Sequence, residues 1–251
     1  MKLTQSCYAV TGLYFVAPWN NNAGFIVGGK KTLVVDSGSN AISAQTIYGY
    51  AKAVRPGNDF ILINTERHLD HIGGNGYFSE KGITIYGHSA IQRSQTEFSS
   101  MVDDINAGIA NIARRNNREG AIGFKNTRIV NPDKTIDHDC EIDVGGIGVQ
   151  VILTPGHTTS NISVFQQSEK VLYCGDCILP DFIPNLEEGS IPDWRTWLDS
   201  LARLRSLGAD VVVPGHGNVI SGKTNIEKEI ARIEEILAIA IQNKRAPTVT
   251  I

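Results

Sequence analysis

Residues 60–71 read FILINTERHLDH, a run of four apolar residues followed by a segment rich in ionisable side chains. The apolar run has the length and composition of a buried strand. Glu66, His68, Asp70 and His71 come next, and each carries a nitrogen or oxygen atom that can bind a metal ion. A strand that ends in such a cluster indicates a functional site at the carboxyl edge of a sheet.

Three more side chains of this kind follow apolar runs elsewhere in the chain. His157 comes after VILTPG, Asp176 after VLYCG and His216 after VVVPG. In layered α/β folds the carboxyl ends of neighbouring strands share one edge, so we expect all of these side chains to meet there. Together they offer enough nitrogen and oxygen donors for zinc or a similar divalent metal, and for two ions that share a carboxylate.

The rest of the apolar pattern predicts two β-rich halves. Strands are expected at 13–16, 24–27, 32–35, 60–63, 83–86, 141–144, 149–153, 162–165, 171–174 and 211–213. Helices are expected at 41–54, 194–207 and 224–244, with Asp193 and Thr224 as the N-caps of the last two. Two packed sheets with helices outside would bury the apolar stripes, which predicts an α/β fold. Because no linker rich in Pro, Gly or Ser divides the halves, we expect one domain, 1–251.

Residues 89–120 differ from their surroundings because they are polar and contain few large apolar side chains. We expect one or two helices in a solvent-exposed insertion. The alternative is a substrate lid, since long insertions near functional sites often cover them.

Composition excludes several classes of protein. The 251 residues include 23 basic and 26 acidic side chains, for a net charge of -3, which argues against a nucleic-acid partner. The longest apolar runs fall far short of the roughly 18 residues of a membrane span. The first residues lack the apolar core of a signal peptide, so we expect a cytoplasmic protein without a membrane partner.

The pattern Glu66-x-His68-x-Asp70-His71 resembles the metal motif HxHxDH of the metallo-β-lactamase superfamily. The later segments TPGHT (154–158), GD (175–176) and PGHG (214–217), and the earlier VVDSG (34–38), resemble further motifs of that family, in the family's order. The resemblance covers nearly the whole chain except residues 89–120.

This resemblance implies a four-layer αββα sandwich with two divalent metal ions at one edge, of which zinc is the first choice. Matching positions imply that metal one is held by Glu66, His68 and His157. They imply that metal two is held by Asp70, His71 and His216, that Asp176 bridges the two, and that Asp36 lies behind the site.

The implied activity is hydrolysis of a small molecule with a carbonyl group, such as a lactone, an ester or an amide ring. A metal-bound hydroxide would attack, since bound metal lowers the pKa of water towards 7. Asp70 would additionally orient the hydroxide. The sequence contains no Gly-x-Ser-x-Gly motif that would offer a serine nucleophile.

The chain departs from the family pattern at its first metal position, where Glu66 replaces a histidine. Glu66 is either a carboxylate ligand, which would make manganese or iron an alternative to zinc, or an ion-pair partner of Arg67. Cys177, directly after Asp176, is either an additional metal ligand or a small packed residue. Trp19 and Asn161 are candidate substrate contacts.

Two alternatives remain open at this point. A β-lactamase-like enzyme would be expected to carry a lysine where this chain has Pro180, and to leave the cytoplasm. An iron-dependent oxidoreductase is the alternative from another class, although the relevant branches carry histidine where Glu66 stands, or glutamate where His68 stands. The oligomeric state cannot be predicted from the sequence.

Overall fold

Two six-stranded sheets form the centre of this computed structural model, which describes residues 1–13, 20–108, 124–180, 183–186 and 188–247. The first sheet contains, in order across it, β1 (Cys7–Leu13), β2 (Asn21–Val27), β3 (Lys31–Val35), β4 (Asp59–Ile63), β5 (Thr84–Gly87) and β6 (Lys134–Thr135). The second contains β7 (Cys140–Asp143), β8 (Gly148–Leu153), β9 (Ile162–Gln166), β10 (Val171–Gly175), β11 (Val211–Pro214) and β12 (Ile220–Ser221).

Strand direction brings the predicted site residues to one edge. In the first sheet β3, β4 and β5 are parallel, so the segments after β3 and β4 leave on the same side. In the second sheet β10 and β11 are parallel, and β8 runs in their direction because β9 is antiparallel to both β8 and β10. A hydrogen bond of 2.7 Å from Ile162 N to Thr65 O joins the two sheets at this edge.

The helices among the described residues are α1 (Ala41–Val54), α2 (Leu69–Ile72), α3 (Asn75–Ser79), α4 (Gln95–Gly108), α5 (Ile191–Ser206) and α6 (Lys223–Asn243). Side chains of α1 and α3 pack on the outer face of the first sheet, and those of α5 and α6 on the outer face of the second. Between the sheets lies a third apolar layer, which includes Leu33, Val164 and Tyr173. Successive strand residues point to opposite faces, so each sheet buries both of its faces. The expected αββα sandwich is confirmed.

Several element ends differ from the expectation, and the starts of three elements are informative. α5 begins at Ile191, and the carboxylate of Asp193 accepts a hydrogen bond of 2.8 Å from Ser190 N, so Asp193 lies inside the first turn rather than at the N-cap. α6 begins directly after Gly222 (φ +87°), and Thr224 is therefore not its N-cap. β2 begins at Asn21 instead of residue 24.

The start of β2 has a tertiary cause. The N–H of Asn22 donates to Gly215 O over 2.7 Å, and its side chain donates to Pro214 O over 3.0 Å. The second sheet thus extends β2 at a point where the sequence indicates only a turn. The strand expected at 13–16 has only Leu13 within the described residues.

The insertion contains one described helix, α4, and residues 109–123 lie outside the described part. Phe98 is 2% exposed and packs in an apolar cluster with Leu69 and Ile72 of α2. Met101 and Val102 join the same cluster. The described part of the insertion is mostly exposed, as expected, but one side of α4 supports the helix that carries Asp70 and His71.

Within the described ranges, none of the helices combines the length and apolar character that crossing a bilayer requires. The single-domain organisation stays a prediction.

Candidate metal centre

The seven predicted metal-binding residues meet at the carboxyl edge, in two groups. The first ligand group consists of Glu66, His68, His157 and Asp176, and the second ligand group of Asp70, His71 and His216. Within each group, one nitrogen or oxygen atom per residue lies within 4.8 Å of those of the others. Loops after β4, β8, β10 and β11 supply these side chains, together with the short helix α2.

Distances within the first ligand group suit a tetrahedral site. Nε2 of His157 lies 3.2 Å from Nδ1 of His68, 3.5 Å from Oε1 of Glu66 and 3.5 Å from Oδ2 of Asp176. Ligand atoms about 2.1 Å from a tetrahedrally coordinated ion lie about 3.4 Å from one another. The spacing therefore leaves room for one ion between the four side chains.

The second ligand group is similar, and Asp176 faces both. Nε2 of His216 lies 2.9 Å from Oδ2 of Asp70 and 3.4 Å from Oδ2 of Asp176. Nε2 of His71 lies 3.8 Å from Oδ2 of Asp70 and 3.4 Å from Oδ1 of Asp176. Asp176 thus occupies the position from which one carboxylate could contact two ions.

Two unsatisfied buried atoms show that His71 and Asp176 point towards a common centre rather than at each other. Nε2 of His71 and Oδ1 of Asp176 are buried 3.4 Å apart, yet within the described residues neither has an aligned hydrogen bond. Buried polar atoms almost always have a partner, and a metal ion is one that satisfies such atoms without a hydrogen. The donors present therefore fit divalent metal.

Comparison with known proteins agrees with this arrangement. A sequence model of the metallo-beta-lactamase superfamily matches residues 16–216. The chain belongs to that superfamily.

Its relatives vary in length and described activity. A beta-lactamase-like protein 2 homolog from Caenorhabditis elegans is 25% identical over 224 residues, which cover 86% of this chain and 60% of the relative. A linear primary-alkylsulfatase from a Pseudomonas species is 22% identical over 236 residues, which cover 82% of this chain and 43% of the relative. The chain thus spans about half the length of these curated relatives.

Solved structures share the fold. A metallo-beta-lactamase family protein from Thermus thermophilus superimposes with a TM-score of 0.71 at 19% identity, over 96% of this chain and 82% of the other. Members of the metallo-beta-lactamase superfamily are mostly hydrolases.

The electrostatics of this superfamily site favour cations. Burial alone would lower the pKa of His216, but the carboxylates of Asp176 and Asp70 raise it to about 11. Burial would likewise lower the pKa of His71, and the carboxylates around it, Asp36 foremost, raise it well above its usual value. The carboxylates of the cluster therefore attract positive charge. Protons on the imidazoles can supply this charge, and so can a divalent metal ion bound by the whole cluster.

Asp36 lies behind the site, where the family resemblance places it. Its Oδ2 atom is 2.9 Å from Nδ1 of His71, and its carboxylate also accepts hydrogen bonds of 2.7 Å from the N–H and from Oγ1 of Thr65. Asp36 adopts the left-handed conformation (φ 62°), which is unusual for a residue other than glycine and marks a constrained position. These contacts leave Nε2 of His71 directed at the metal-binding side.

Glu66 lies among the histidines and not against Arg67. Its side chain is fully buried, with Oε1 3.3 Å from Nε2 of His71 and 3.0 Å from Nδ1 of His68. Within the described part of the chain no ion pair joins Glu66 to Arg67, whose Nε atom is buried without a hydrogen bond. The geometry favours the carboxylate-ligand interpretation over the ion pair.

The remaining predicted site residues lie apart from the two ligand groups. Cys177 is fully buried in the cluster beneath α5, and its carbonyl accepts a hydrogen bond of 2.9 Å from Nε1 of Trp197. Burial raises the pKa of its thiol well above the usual value. Asn161 is 1% exposed and donates to Thr154 Oγ1 over 2.9 Å, so it connects strand ends. Trp19 lies outside the described residues.

Sequence reasoning missed Asn20 and Glu188. The carbonyl of Asn20 lies 2.9 Å from Nδ1 of His216, and a carboxylate oxygen of Glu188 lies 3.2 Å from Nε2 of His68. Glu188 is 120 positions from its partner and belongs to no motif, so only the tertiary structure reveals it. A carbonyl contact such as that of Asn20 leaves no signal in residue type.

Proposed function

We propose that this chain is a metal-dependent hydrolase that cleaves a C–O or C–N bond at the carbonyl of a small molecule, such as a lactone, an ester or an amide ring. The position of Asp176 between the two ligand groups is the observation that carries the proposal. Two ions that share one carboxylate form the kind of site that activates water for hydrolysis.

When bound, divalent metal lowers the pKa of a water molecule towards 7 and polarises a carbonyl oxygen. The chain's own residues would hold and orient that water. Asp70 suits this task because its side chain is 31% exposed, whereas those of Glu66 and Asp176 are 0% and 8% exposed. Water can therefore reach Asp70 from the open side while the other two carboxylates serve as ligands from within.

Contacts to both its main chain and its side chain hold Asp70 in place. The side-chain amide of Asn21 donates a hydrogen bond to its carbonyl, and its Oδ2 atom contacts Nε2 of His216. A carboxylate fixed in this way can hold a water nucleophile near the reacting carbon, so that little further conformational entropy is lost in the transition state.

We propose two ions, with zinc as the first choice. Four imidazoles and three carboxylates form a mixed donor set that zinc accepts, and the carboxylates would offset three of the four positive charges of two divalent ions. The buried Glu66 makes the first ligand group more anionic than histidine would. Manganese and iron prefer such oxygen-rich sites more than zinc does, so they are the alternatives.

The test combines metal analysis with a substrate panel. The purified protein would be analysed for metal by mass spectrometry and then assayed with a lactone, an aryl ester, a cephalosporin and a phosphodiester. We expect zinc and hydrolysis of a carbonyl substrate, lost on chelation and restored by the metal. Cleavage of the cephalosporin alone would favour, within the same class of hydrolase, the β-lactamase-like alternative. Iron without any hydrolysis would overturn the proposal.

A further inference from the structure

The two ring nitrogens of His68 face different partners. Nδ1 lies 3.0 Å from Oε1 of Glu66 and 3.2 Å from Nε2 of His157, within the first ligand group. Nε2 points the other way and lies 3.2 Å from Oε2 of Glu188. Glu188 belongs to the segment between β10 and α5 and is separate from both ligand groups.

This arrangement selects one form of the imidazole. A neutral imidazole carries one N–H and one lone pair, and the position of the proton follows the hydrogen bond that the ring makes. A carboxylate that accepts from Nε2 keeps the proton there. The lone pair is then on Nδ1, the atom that faces Glu66 and His157.

Two other histidines of the site have comparable outer contacts, but from a buried carboxylate and a backbone carbonyl. Nδ1 of His71 faces Asp36, which is 2% exposed, and Nδ1 of His216 faces the backbone carbonyl of Asn20. The side chain of Glu188, by contrast, is 49% exposed. Of the three outer contacts to His68, His71 and His216, only the contact to His68 comes from a solvent-exposed side chain.

We propose that Glu188 is the positioning residue of the first ligand group, acting through His68. It fixes the proton on Nε2 and the ring orientation, and it thereby sets the metal affinity of this group. The inference rests on the proposed metal-dependent function. Loss of an outer-sphere hydrogen bond of this type weakens metal binding by about 10- to 100-fold.

The experiment measures zinc affinity, by competition with a chromophoric chelator, in a His216→Ala background that leaves the first ligand group intact. We expect Glu188→Ala to weaken zinc binding by about 10- to 100-fold. Glu188→Gln should restore most of the affinity, because its amide oxygen still accepts the Nε2 proton although the charge is gone. In a Glu66→Ala background, which leaves the second ligand group, Glu188→Ala should change little.

Two further measurements separate the positioning of His68 from a general effect of the lost charge. Glu235→Ala, at an exposed position of α6, removes the same charge and should leave zinc affinity unchanged. In zinc-loaded protein with ¹⁵N-labelled histidine, the Nε2–H of His68 should exchange with solvent faster in Glu188→Ala than in the parent.

The outcomes distinguish this inference from the proposed function. Parental affinity in Glu188→Ala, or equal losses in Glu188→Ala and Glu188→Gln, would overturn the inference while a metal-binding parent upholds the function. A parent that binds no metal would overturn both.

Discussion

Gly215 allows Asp176 and His71 to approach each other, and replacing it with alanine tests the geometry of the metal centre. A Cβ atom at this position would lie 2.0 Å from Oδ1 of Asp176 and 2.7 Å from Cε1 of His71. Real Cβ contacts stay above 3.0 Å, so the carboxylate oxygen would have to move by about 1 Å. The backbone of Gly215 cannot yield easily, because its N–H donates to Gly175 O over 2.8 Å and its carbonyl accepts from Asn22 N over 2.7 Å.

A shift of this size exceeds what metal coordination tolerates, since ligand distances vary by only about 0.2 Å. We therefore expect Gly215→Ala to weaken zinc binding by at least about 100-fold. At a zinc concentration about 100 times the parental Kd, each bound ion stabilises the parent by about 2.7 kcal/mol, and an ion bound 100-fold more weakly stabilises the variant by only about 0.4 kcal/mol.

The assay is urea unfolding of both proteins with and without zinc, together with a direct zinc titration. Gly215 does not have a positive φ, so alanine suits its backbone and the loss should concern the metal-dependent part of the stability. If Gly215→Ala gained as much stability from zinc as the parent, the tight approach of Asp176 to Gly215 would not exist in solution.

Three further predictions concern single side chains. Gly49→Ala, on the exposed side of α1 with no atom within 4 Å of the new Cβ, should raise the free energy of unfolding by about 1 kcal/mol in urea titrations, and a decrease would contradict the helix. Asp70→Asn should lower turnover on whichever substrate the panel identifies by orders of magnitude while the melting temperature of the metal-free protein changes little; near-parental turnover would refute its assignment. Asp36→Ala, which removes the acceptor behind Nδ1 of His71, should weaken zinc binding by about 10- to 100-fold in a Glu66→Ala background, and unchanged affinity would show that His71 needs no hydrogen-bond acceptor there.

The apolar pattern predicts two packed sheets with metal-binding side chains at one edge because these signals are local. Each strand that carries a site residue is a short apolar run, and the metal-binding side chain follows within a few positions. Strand ends of one direction must share an edge, so the meeting of Glu66, His157 and His216 follows from the strand pattern. Family resemblance adds how these residues divide between two ions.

Features that depend on tertiary contacts are not predicted by the sequence. Asn21 and Asn22 look like a turn, yet the second sheet draws them into β2 through Gly215. In the sequence of residues 89–108, the apolar Phe98, Met101 and Val102 are scattered among polar residues. In the structure these three side chains lie on one side of α4 and pack against α2. These contacts arise only when distant segments pack together.

The central claim is that each of the two ligand groups holds one metal ion, and native mass spectrometry of the zinc-loaded protein tests it most directly. We predict two ions per chain in the parent and one ion in each of His216→Ala and Glu66→Ala, because each variant removes a ligand from one group. A parent that holds one ion or none, or a Glu66→Ala variant that still holds two, would contradict it.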